Sequence, residues 1–554
     1  MTATTRYTYL DYKVNNNEYV EFKAQTIGQP LWVGQSIADF GAFVNNIKTS
    51  NFIFCKLRDL FPLIQVLFDV DFENSFIYSG RVLEVKLLNS KIKFRNIDEI
   101  READPDSDDF TFEERIKQVE YLSNKYKTNI PLTKSRELEK HLAKYNIGWN
   151  KCKLTVDKYK FVNACISVPS VVYDYKHLDK TITNVANYDL TSSFVSRCFY
   201  SDLFPINDGE ILGSISVDKL EELINTPKRI CCIKARFNNI ISNHVFGYFM
   251  KEGDKDKAAE RNRIEYIENE MLAIGSNTSI IAADELVINF VSTEWEIIKQ
   301  VYTWESIEIL DCLVYTTGHF PHRLQTALID LYTNKKAFKG IEGKENEYLT
   351  NKVLFNAAWG NMIKRFHREG NLEDSIKKYN QSKRYLFYAW GLTIASLSKV
   401  EYWKTIIALG DDFIYGDTDS AKCKNNKRVR KYFKEYNENM KNLIQSECHL
   451  FGIKSDVISD IGQWTDEGVS KRFKFIGSKK YIAEKNIIKP TFAGKNIKRL
   501  SEYLSQYDEF EAFNNDMNDA SYVQNILSST KEGYPVYIEN YVTENQRLSL
   551  KLKI

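Results

Sequence analysis

The stretch Tyr415-Gly416-Asp417-Thr418-Asp419-Ser420, which reads YGDTDS, decides how this chain is interpreted. A strand-like Phe413-Ile414-Tyr415 precedes it and a Lys/Asn-rich segment follows, so the two aspartates are predicted at or beside a tight strand turn. Alternation along a strand would place Asp417 and Asp419 on one side. Two carboxylates there suit Mg²⁺, which proteins bind through one or two carboxylates plus substrate phosphates. A bare Asp-x-Asp is more often an acidic, solvated hairpin, so further segments must support a phosphoryl-transfer site.

Two further segments offer chemistry that suits a nucleotide and a nucleic acid. In KVLFNAAWG, residues 352–360, a helix would present Lys352, Asn356 and Trp359 on one face. These side chains would offer a cation that can meet a triphosphate, an amide that can hydrogen-bond and an aromatic ring that can stack on a base. In KRFKFIGSKKY, residues 471–481, basic residues alternate with aromatic ones, a pattern that suits a phosphate backbone and a primer terminus. An amphipathic core helix and a solvated basic strand are the respective alternatives.

Together with NYDLTSSFVS, residues 187–196, these segments resemble motifs A, B, C and KxY of the family B DNA polymerases, in the family's order. The resemblance implies that Asp189, Asp417 and Asp419 are the catalytic carboxylates. Asp189 and Asp419 would hold two Mg²⁺ ions, with Mn²⁺ as an alternative and with help from the Leu190 carbonyl. The two ions would serve an in-line displacement at the primer 3′-hydroxyl.

The resemblance also assigns nucleotide and primer contacts. Phe194 stands where the family has a Tyr that closes against C2′ of the incoming nucleotide. Either Lys335 or Lys336 would be a second phosphate-binding lysine, although each could equally be a solvated lysine at a helix end. Lys479 and Tyr481, of the KxY element, would contact the primer. The motif B segment departs from the family's Kx3NSxYG pattern at its Ser and Tyr positions, where this chain has Ala357 and Trp359.

Within family B, the long interval between motifs A and B looks like that of the protein-primed polymerases of small linear-genome phages. Those enzymes carry an inserted subdomain there that contacts a terminal protein and the DNA. The resemblance therefore implies primer-template DNA, dNTPs and a terminal protein as partners. The family's YxGG linker motif is not evident in residues 158–188.

Residues 31–68 resemble the proofreading exonuclease domain of the same family, but the acidic residues of its metal site are mostly replaced. The first motif, DxE, reads Asp11-Tyr12-Lys13. The second has Lys56 and Leu60 where Asn and Asp are expected, with Asp59 displaced by one position. The third, YxxxD, appears as Arg115 and Val119. Since exonuclease chemistry needs carboxylates to hold two metals, the domain is predicted to keep its fold and lack proofreading activity.

Composition is compatible with a replication enzyme. The chain has 554 residues, 43% of them hydrophobic, with 33 Tyr and 33 Phe, which allows two to four domains with sizeable cores. Its formal net charge is only +2, so a nucleic-acid surface must be local. Nine cysteines without a CxxC pair indicate reduced thiols and no zinc module. No apolar run reaches membrane-spanning length and the N-terminus lacks a signal-peptide core, so we expect a cytoplasmic protein, in the host cytoplasm if viral, with no membrane partner.

The predicted fold class is α+β, a right-hand polymerase of palm, fingers and thumb with an N-terminal ribonuclease-H-like domain. Two other functional classes remain open, a template-directed RNA polymerase or primase on a similar palm and a non-catalytic DNA-binding subunit. The predicted boundaries are an exonuclease-like domain at 1–140, palm at 141–203 and 388–494, an inserted terminal-protein-region subdomain at 204–322, fingers at 323–364, a short insertion at 365–387 and a thumb at 495–554.

Overall fold

The computed structural model describes most of the chain after residue 110. The described ranges are 111–125, 134–167, 171–250, 263–272, 279–363, 371–450, 460–493 and 497–514, with the single residues 452 and 458, together with separate N-terminal segments between 6 and 96 and two short strands, Thr543–Glu544 and Arg547–Leu548. No helix in this described part is both long enough and apolar enough to cross a membrane.

The N-terminal segments form one nine-stranded sheet. Its strands in chain order are β1 (Arg6–Asn15), β2 (Tyr19–Thr26), β3 (Leu31–Gly34), β4 (Asn51–Cys55), β5 (Phe76–Tyr78), β6 (Val82–Leu87) and β7 (Ser90–Asn96). β4 lies parallel to both β1 and β7, whereas β2 and β3 add antiparallel strands that end at an exposed edge. The two C-terminal strands extend the sheet beside β5.

The remaining strands belong to two further sheets. In chain order they are β8 (Val171–Tyr173), β9 (Ile182–Leu190), β10 (Phe204–Pro205), β11 (Glu210–Ile211), β12 (Arg229–Ser242), β13 (Ile264–Glu268), β14 (Met271–Leu272), β15 (Ile280–Val291), β16 (Tyr302–Thr303), β17 (Ser306–Gly318), β18 (Phe413–Asp417), β19 (Ser420–Lys424), β20 (Trp464–Gly477), β21 (Lys480–Glu484) and β22 (Ile488–Phe492).

The sheet that positions the site has the order β22-β21-β20-β9-β19-β18-β8 and is antiparallel throughout. Its strands come from two parts of the chain that lie more than 200 residues apart. Every strand from β10 to β17 lies in a separate eight-stranded sheet, centred on the long strands β12, β15 and β17. The interval between motifs A and B therefore forms a sheet of its own.

The α-helices whose bounds the described residues define follow in chain order. They are α1 (Phe112–Lys125), α2 (Lys134–Leu142), α3 (Val156–Cys165), α4 (Ser193–Ser196), α5 (Val217–Asn225), α6 (Trp295–Val301), α7 (His322–Phe338), α8 (Glu345–Met362), α9 (Leu372–Gln381), α10 (Trp390–Leu409), α11 (Lys427–Leu450), α12 (Ile497–Leu504) and α13 (Glu509–Ala512). Short 3₁₀ helices occur at Ala143–Tyr145, Tyr175–His177, Arg197–Phe199, Ser292–Glu294 and Gly410–Asp412.

The helix α10 is apolar on nearly all of its faces, as expected of a helix in the middle of a large core. It therefore packs against both the seven-stranded and the eight-stranded sheet. Residues from its N-terminal half pack with α3, α7 and α8, whereas residues from its C-terminal half pack with the eight-stranded sheet and with β18. The helices α7 and α8 form a hairpin whose rings Tyr332 and Phe355 lie 5.3 Å apart. This hairpin corresponds to the segment predicted as fingers.

Candidate active site

The ends of β9 and β19 bring Asp189 beside the YGDTDS turn. Asp189 is the register partner of Ser420, and the Leu190 amide donates a hydrogen bond of 2.7 Å to the Asp419 carbonyl oxygen. Because β9 is paired with β19 on one side and β20 on the other, its carboxyl end is fixed in the middle of the sheet. The predicted proximity of motif A and motif C is therefore present.

The turn itself differs from the expected geometry. β18 ends at Asp417 and β19 begins at Ser420, so Thr418 and Asp419 form a two-residue hairpin turn and the alternation of a single strand does not apply. The Asp419 amide donates to the Asp417 carbonyl oxygen at 2.7 Å, and Thr418 has φ +61°. A β-branched residue rarely adopts this left-handed conformation, and strained backbone of this kind concentrates at functional sites.

The side chains of the two turn aspartates have different partners. The Lys479 ammonium donates to both carboxylate oxygens of Asp417, at 2.7 and 2.9 Å. Lys479 lies in the two-residue turn between β20 and β21, and its amide donates to the Tyr415 hydroxyl at 2.9 Å. The Tyr481 ring lies 5.5 Å from that of Tyr415. Motif C and the KxY element are thus one hydrogen-bonded unit, and Asp417 holds Lys479 in place.

Asp189 and Asp419 concentrate negative charge in a partly buried place. Burial, followed by repulsion from Asp189 and Asp417, raises the pKa of Asp419 to about 7. Burial and the charge of Glu467 raise the pKa of Asp189, while Lys422, Lys335 and Lys352 act in the opposite direction. Two carboxylates that repel each other in this way favour binding of a divalent cation, which would stabilise their ionised forms.

The carboxylates present fit Mg²⁺ only if water and substrate phosphates supply the other ligands. Within the described ranges, the protein brings together no group of three or more His, Cys, Asp or Glu side chains suited to a metal ion. Mg²⁺ commonly takes one or two carboxylates and completes its shell with water and substrate phosphates. Asp189 and Asp419 supply that complement. A role for the Leu190 carbonyl remains a prediction.

The structure distinguishes between the two lysines at the end of α7. Lys336 is exposed and lies 3.0 Å from Asp460 in an ion pair. Lys335 is half-buried, and burial together with Lys352 lowers its pKa. Its ammonium lies 4.9 Å from the centre of the Tyr332 ring and is close enough to Asp189 to affect that carboxyl. The geometry therefore favours Lys335 as the lysine that faces the carboxylates.

On α8, the predicted spacing places Lys352 and Asn356 at the surface and Trp359 at the edge of the core. Lys352 is near enough to Asp189 to oppose the rise in its pKa. The Trp359 ring stacks on Phe194, with centroids 4.2 Å apart and planes 23° from parallel. Phe194 comes from the motif A segment and Trp359 from the motif B segment. The two aromatic residues assigned to nucleotide contacts are thus in direct contact.

Sequence reasoning missed two buried residues near the turn. The Tyr402 hydroxyl, from α10, occupies the space that a side chain at Gly416 would need, and it makes no hydrogen bond in the part of the chain described. Lys422, on β19, is 8% exposed and moderates the charge of Asp189. Lys422 is two residues after Ser420, the partner of Asp189 across the sheet, so strand alternation places Lys422 on the same face as Asp189. No feature of the sequence identifies Tyr402.

The predicted exonuclease positions are only partly described. Asp11 is exposed on β1, and nothing is described of the Lys13 side chain. Arg115 and Val119 are buried on α1, at 1% and 0% exposure, against the N-terminal sheet. Lys56, Asp59 and Leu60 lie outside the described residues. At the third motif, the buried face of α1 therefore holds a cation and an aliphatic group.

This fold, which combines a palm-like sheet that carries the carboxylates, a helical hairpin and an N-terminal sheet domain, is that of the family B DNA polymerases. Among solved structures the chain is similar to phi29 DNA polymerase. The orthorhombic crystal form gives a TM-score of 0.63 at 14% identity, covering 92% of this chain and 95% of that one. The complex with single-stranded DNA gives 0.64 at 13% identity, with the same coverage.

The ternary complex of phi29 DNA polymerase with primer-template DNA and incoming nucleotide gives a TM-score of 0.63 at 14% identity, covering 90% of this chain and 94% of that one. No protein-family model matches the sequence, and no curated protein matches it in a sequence search. At this level of identity the similarity establishes the fold.

Proposed function

We propose that this protein is a template-directed DNA polymerase that adds dNTPs to a primer 3′-hydroxyl with two Mg²⁺ ions. The observation that carries the proposal is the meeting of Asp189 and Asp419 at adjacent strand ends, opposite Lys335 and Lys352. A pair of carboxylates close to cations on the helical hairpin suits a metal-bound triphosphate. The similarity to phi29 DNA polymerase bound to primer-template and nucleotide supports this reading.

In this proposal each group has a distinct task. Asp189 and Asp419 hold the metal ions, which would activate the attacking hydroxyl and neutralise the leaving pyrophosphate. Lys335 and Lys352 bind the triphosphate and orient it for in-line attack. Phe194 closes against the sugar of the incoming nucleotide, Trp359 stacks under the nascent base pair, and Lys479, held by Asp417, contacts the primer end.

Primer extension with the variants Asp189→Asn and Asp419→Asn tests the proposal. Loss of a metal ligand removes several kcal/mol of transition-state stabilisation, so incorporation should fall about a thousandfold or more while primer-template binding persists. Asp411→Asn is the matched control and should be active, because Asp411 is an exposed carboxylate just before β18, the strand that leads into the YGDTDS turn. Near-normal incorporation by either variant would refute the assignment. Preferential use of NTPs by the unmodified protein would indicate an RNA polymerase or primase instead.

We further propose that priming uses a terminal protein. If the chain is viral, this would take place in the cytoplasm of a host cell. The eight-stranded sheet between motifs A and B supports the use of a terminal protein, since it forms a separate surface that the minimal site does not require. A small partner should offer a Ser, Thr or Tyr hydroxyl to the first nucleotide. Mixing the purified pair with each labelled dNTP should give a covalent adduct. Robust extension of DNA primers without any adduct would count against protein priming.

A further inference from the structure

An aromatic pair stands at the surface where two loops meet. Trp149, in the segment between α2 and α3, stacks on Tyr385, in the segment between α9 and α10, with centroids 4.4 Å apart and planes 27° from parallel. Although one face of the indole is packed, Trp149 remains 45% exposed. A large exposed ring held in a fixed orientation has the form of a stacking platform.

The two loops are tied together by several hydrogen bonds. The Asn150 amide donates to the Arg384 carbonyl at 2.8 Å, and the Arg384 guanidinium donates to the carbonyls of Cys152 and Tyr379. The Leu154 amide donates to Asn380 at 3.0 Å, and the Asn380 side chain donates back to the Leu154 carbonyl at 2.7 Å. The platform is therefore held rigid before any ligand binds, which lowers the entropic cost of binding.

The charge around the platform is positive. Lys383 lies 5.9 Å from the centre of the Trp149 ring, and Lys151 is exposed two residues further along the chain. Within the described residues neither ammonium group pairs with a carboxylate. The nearby Asp208 carboxylate accepts the Lys153 amide at 2.7 Å. Cations beside an exposed ring match the phosphates and bases of a nucleic-acid strand.

We propose that Trp149 and Tyr385, with Lys151 and Lys383, bind an unpaired stretch of DNA by stacking a base on the indole. Duplex DNA presents its phosphates and base edges, whereas only an unpaired base offers a face for stacking. The proposal rests on the proposed polymerase function, because such an enzyme meets an unpaired strand as template ahead of the primer or as a displaced strand. Tyr385, on which Trp149 stacks, packs against the same hydrophobic core as Phe194 and Trp359.

Binding of oligothymidylate, measured by fluorescence anisotropy, tests this independently of incorporation. Stacking contributes about 1–3 kcal/mol per base, so Trp149→Ala should weaken the affinity about fivefold or more, and Trp149→Phe should retain part of it. Trp32→Ala, at a 38% exposed tryptophan on the edge strand β3, is the matched control. Replacing both Lys151 and Lys383 with Ala should reduce the salt dependence of binding by the equivalent of about two phosphates.

Comparison of three labelled DNAs identifies the strand. A loss confined to a primer-template with a long 5′ template overhang indicates the template, and a loss confined to a flapped duplex indicates the displaced strand. Affinity for blunt duplex should not change. The proposal is overturned if Trp149→Ala and Trp149→Phe both bind oligothymidylate like the unmodified protein, or if Trp149→Ala weakens blunt duplex equally. Failure of the polymerase proposal would appear separately, as absence of incorporation with oligothymidylate binding intact.

Discussion

At Phe194 a phenyl ring lies where discrimination between sugars is expected. This ring stacks on Trp359 of the motif B segment, and the contact fixes its position. Because exclusion of a 2′-hydroxyl depends on ring bulk, we expect strong preference for dNTPs. Phe194→Val should relax this preference about tenfold or more, a difference of roughly 1.4 kcal/mol. Parallel measurement of kcat/KM for dATP and ATP checks the prediction, and equal use of both by the unmodified protein would contradict it.

Gly416 is expected to be replaceable only at a cost. A Cβ there would collide with the Tyr402 hydroxyl and lie 2.8 Å from the Ser420 carbonyl oxygen. Overpacking of this kind costs about 1–3 kcal/mol, and here the strain falls on the turn that carries Asp419. Gly416→Ala should therefore reduce incorporation strongly.

Tyr402→Phe removes the nearer of the two clashing atoms, so the double variant should recover part of the activity lost in Gly416→Ala. Primer extension and thermal melting of the two single variants and the double variant measure this coupling. Additive effects in both assays would show that Tyr402 does not restrain the turn.

The sequence predicted that Asp189, Asp417 and Asp419 lie together because each belongs to a recognisable motif, and the structure brings motifs A and C side by side. The different side-chain partners of Asp417 and Asp419 could not be predicted in this way. They depend on a left-handed Thr418 and on Lys479, which is 62 residues from Asp417 in sequence and reaches it only through the pairing of the sheet. Side-chain partners across a sheet follow from tertiary register, which local patterns do not contain.

At the scale of elements, the hairpin of α7 and α8 gives the adjacent Lys335 and Lys336 different environments. Lys335→Ala should raise the KM for dNTP about tenfold or more, because a half-buried cation that faces the triphosphate is lost. Lys336→Ala should leave KM nearly unchanged, since Lys336 is exposed and paired with Asp460. Steady-state kinetics on one primer-template distinguishes them. An equal effect of the two variants would mean that the hairpin closes differently around the nucleotide.

Helix periodicity predicted α8 and the common face of Lys352, Asn356 and Trp359, and these expectations are confirmed. The same reasoning left Lys335 and Lys336 as open alternatives. Burial of one and exposure of the other depend on how α7 packs against α8 and near Asp460, and neither contact is encoded in the local sequence.

At the scale of the whole molecule, a buried ionic cluster fixes the eight-stranded sheet to α10. Glu294 is fully buried, receives hydrogen bonds from Arg263 and Tyr248, and lies 3.8 Å from Lys399 of α10. Burial alone would raise the pKa of Glu294, but the two cations hold it below its ordinary value. The carboxylate therefore stays ionised and compensates two buried positive charges.

Glu294→Gln should destabilise the protein by about 3–5 kcal/mol, because it leaves those cations without their counter-charge. Glu285→Gln, which breaks a half-exposed pair with Arg236 at 3.0 Å, should cost less than about 1 kcal/mol. Urea denaturation followed by tryptophan fluorescence compares the two variants. Similar shifts for both would show that the cluster does not stabilise the contact between the sheet and α10.

The overall arrangement also predicts that the protein does not proofread. Hydrolysis of a mispaired 3′ end requires metal-held water at the terminal phosphate, and such a site needs acidic residues from several motifs. On the buried face of α1, Arg115 and Val119 stand where the third motif would supply Tyr and Asp. A guanidinium repels metal ions, and an aliphatic group cannot bind them.

With Mg²⁺ or Mn²⁺, the protein should therefore leave a 3′-labelled single strand intact over times that suffice for full primer extension. The Asp189→Asn, Asp419→Asn double variant separates polymerase-site chemistry from any nuclease. Degradation that persists in this variant would mean that a working nuclease site lies among Asp11, Asp59 and the exposed glutamates of residues 113–120. If both proteins leave the strand intact, the N-terminal domain keeps a sheet fold without nuclease activity.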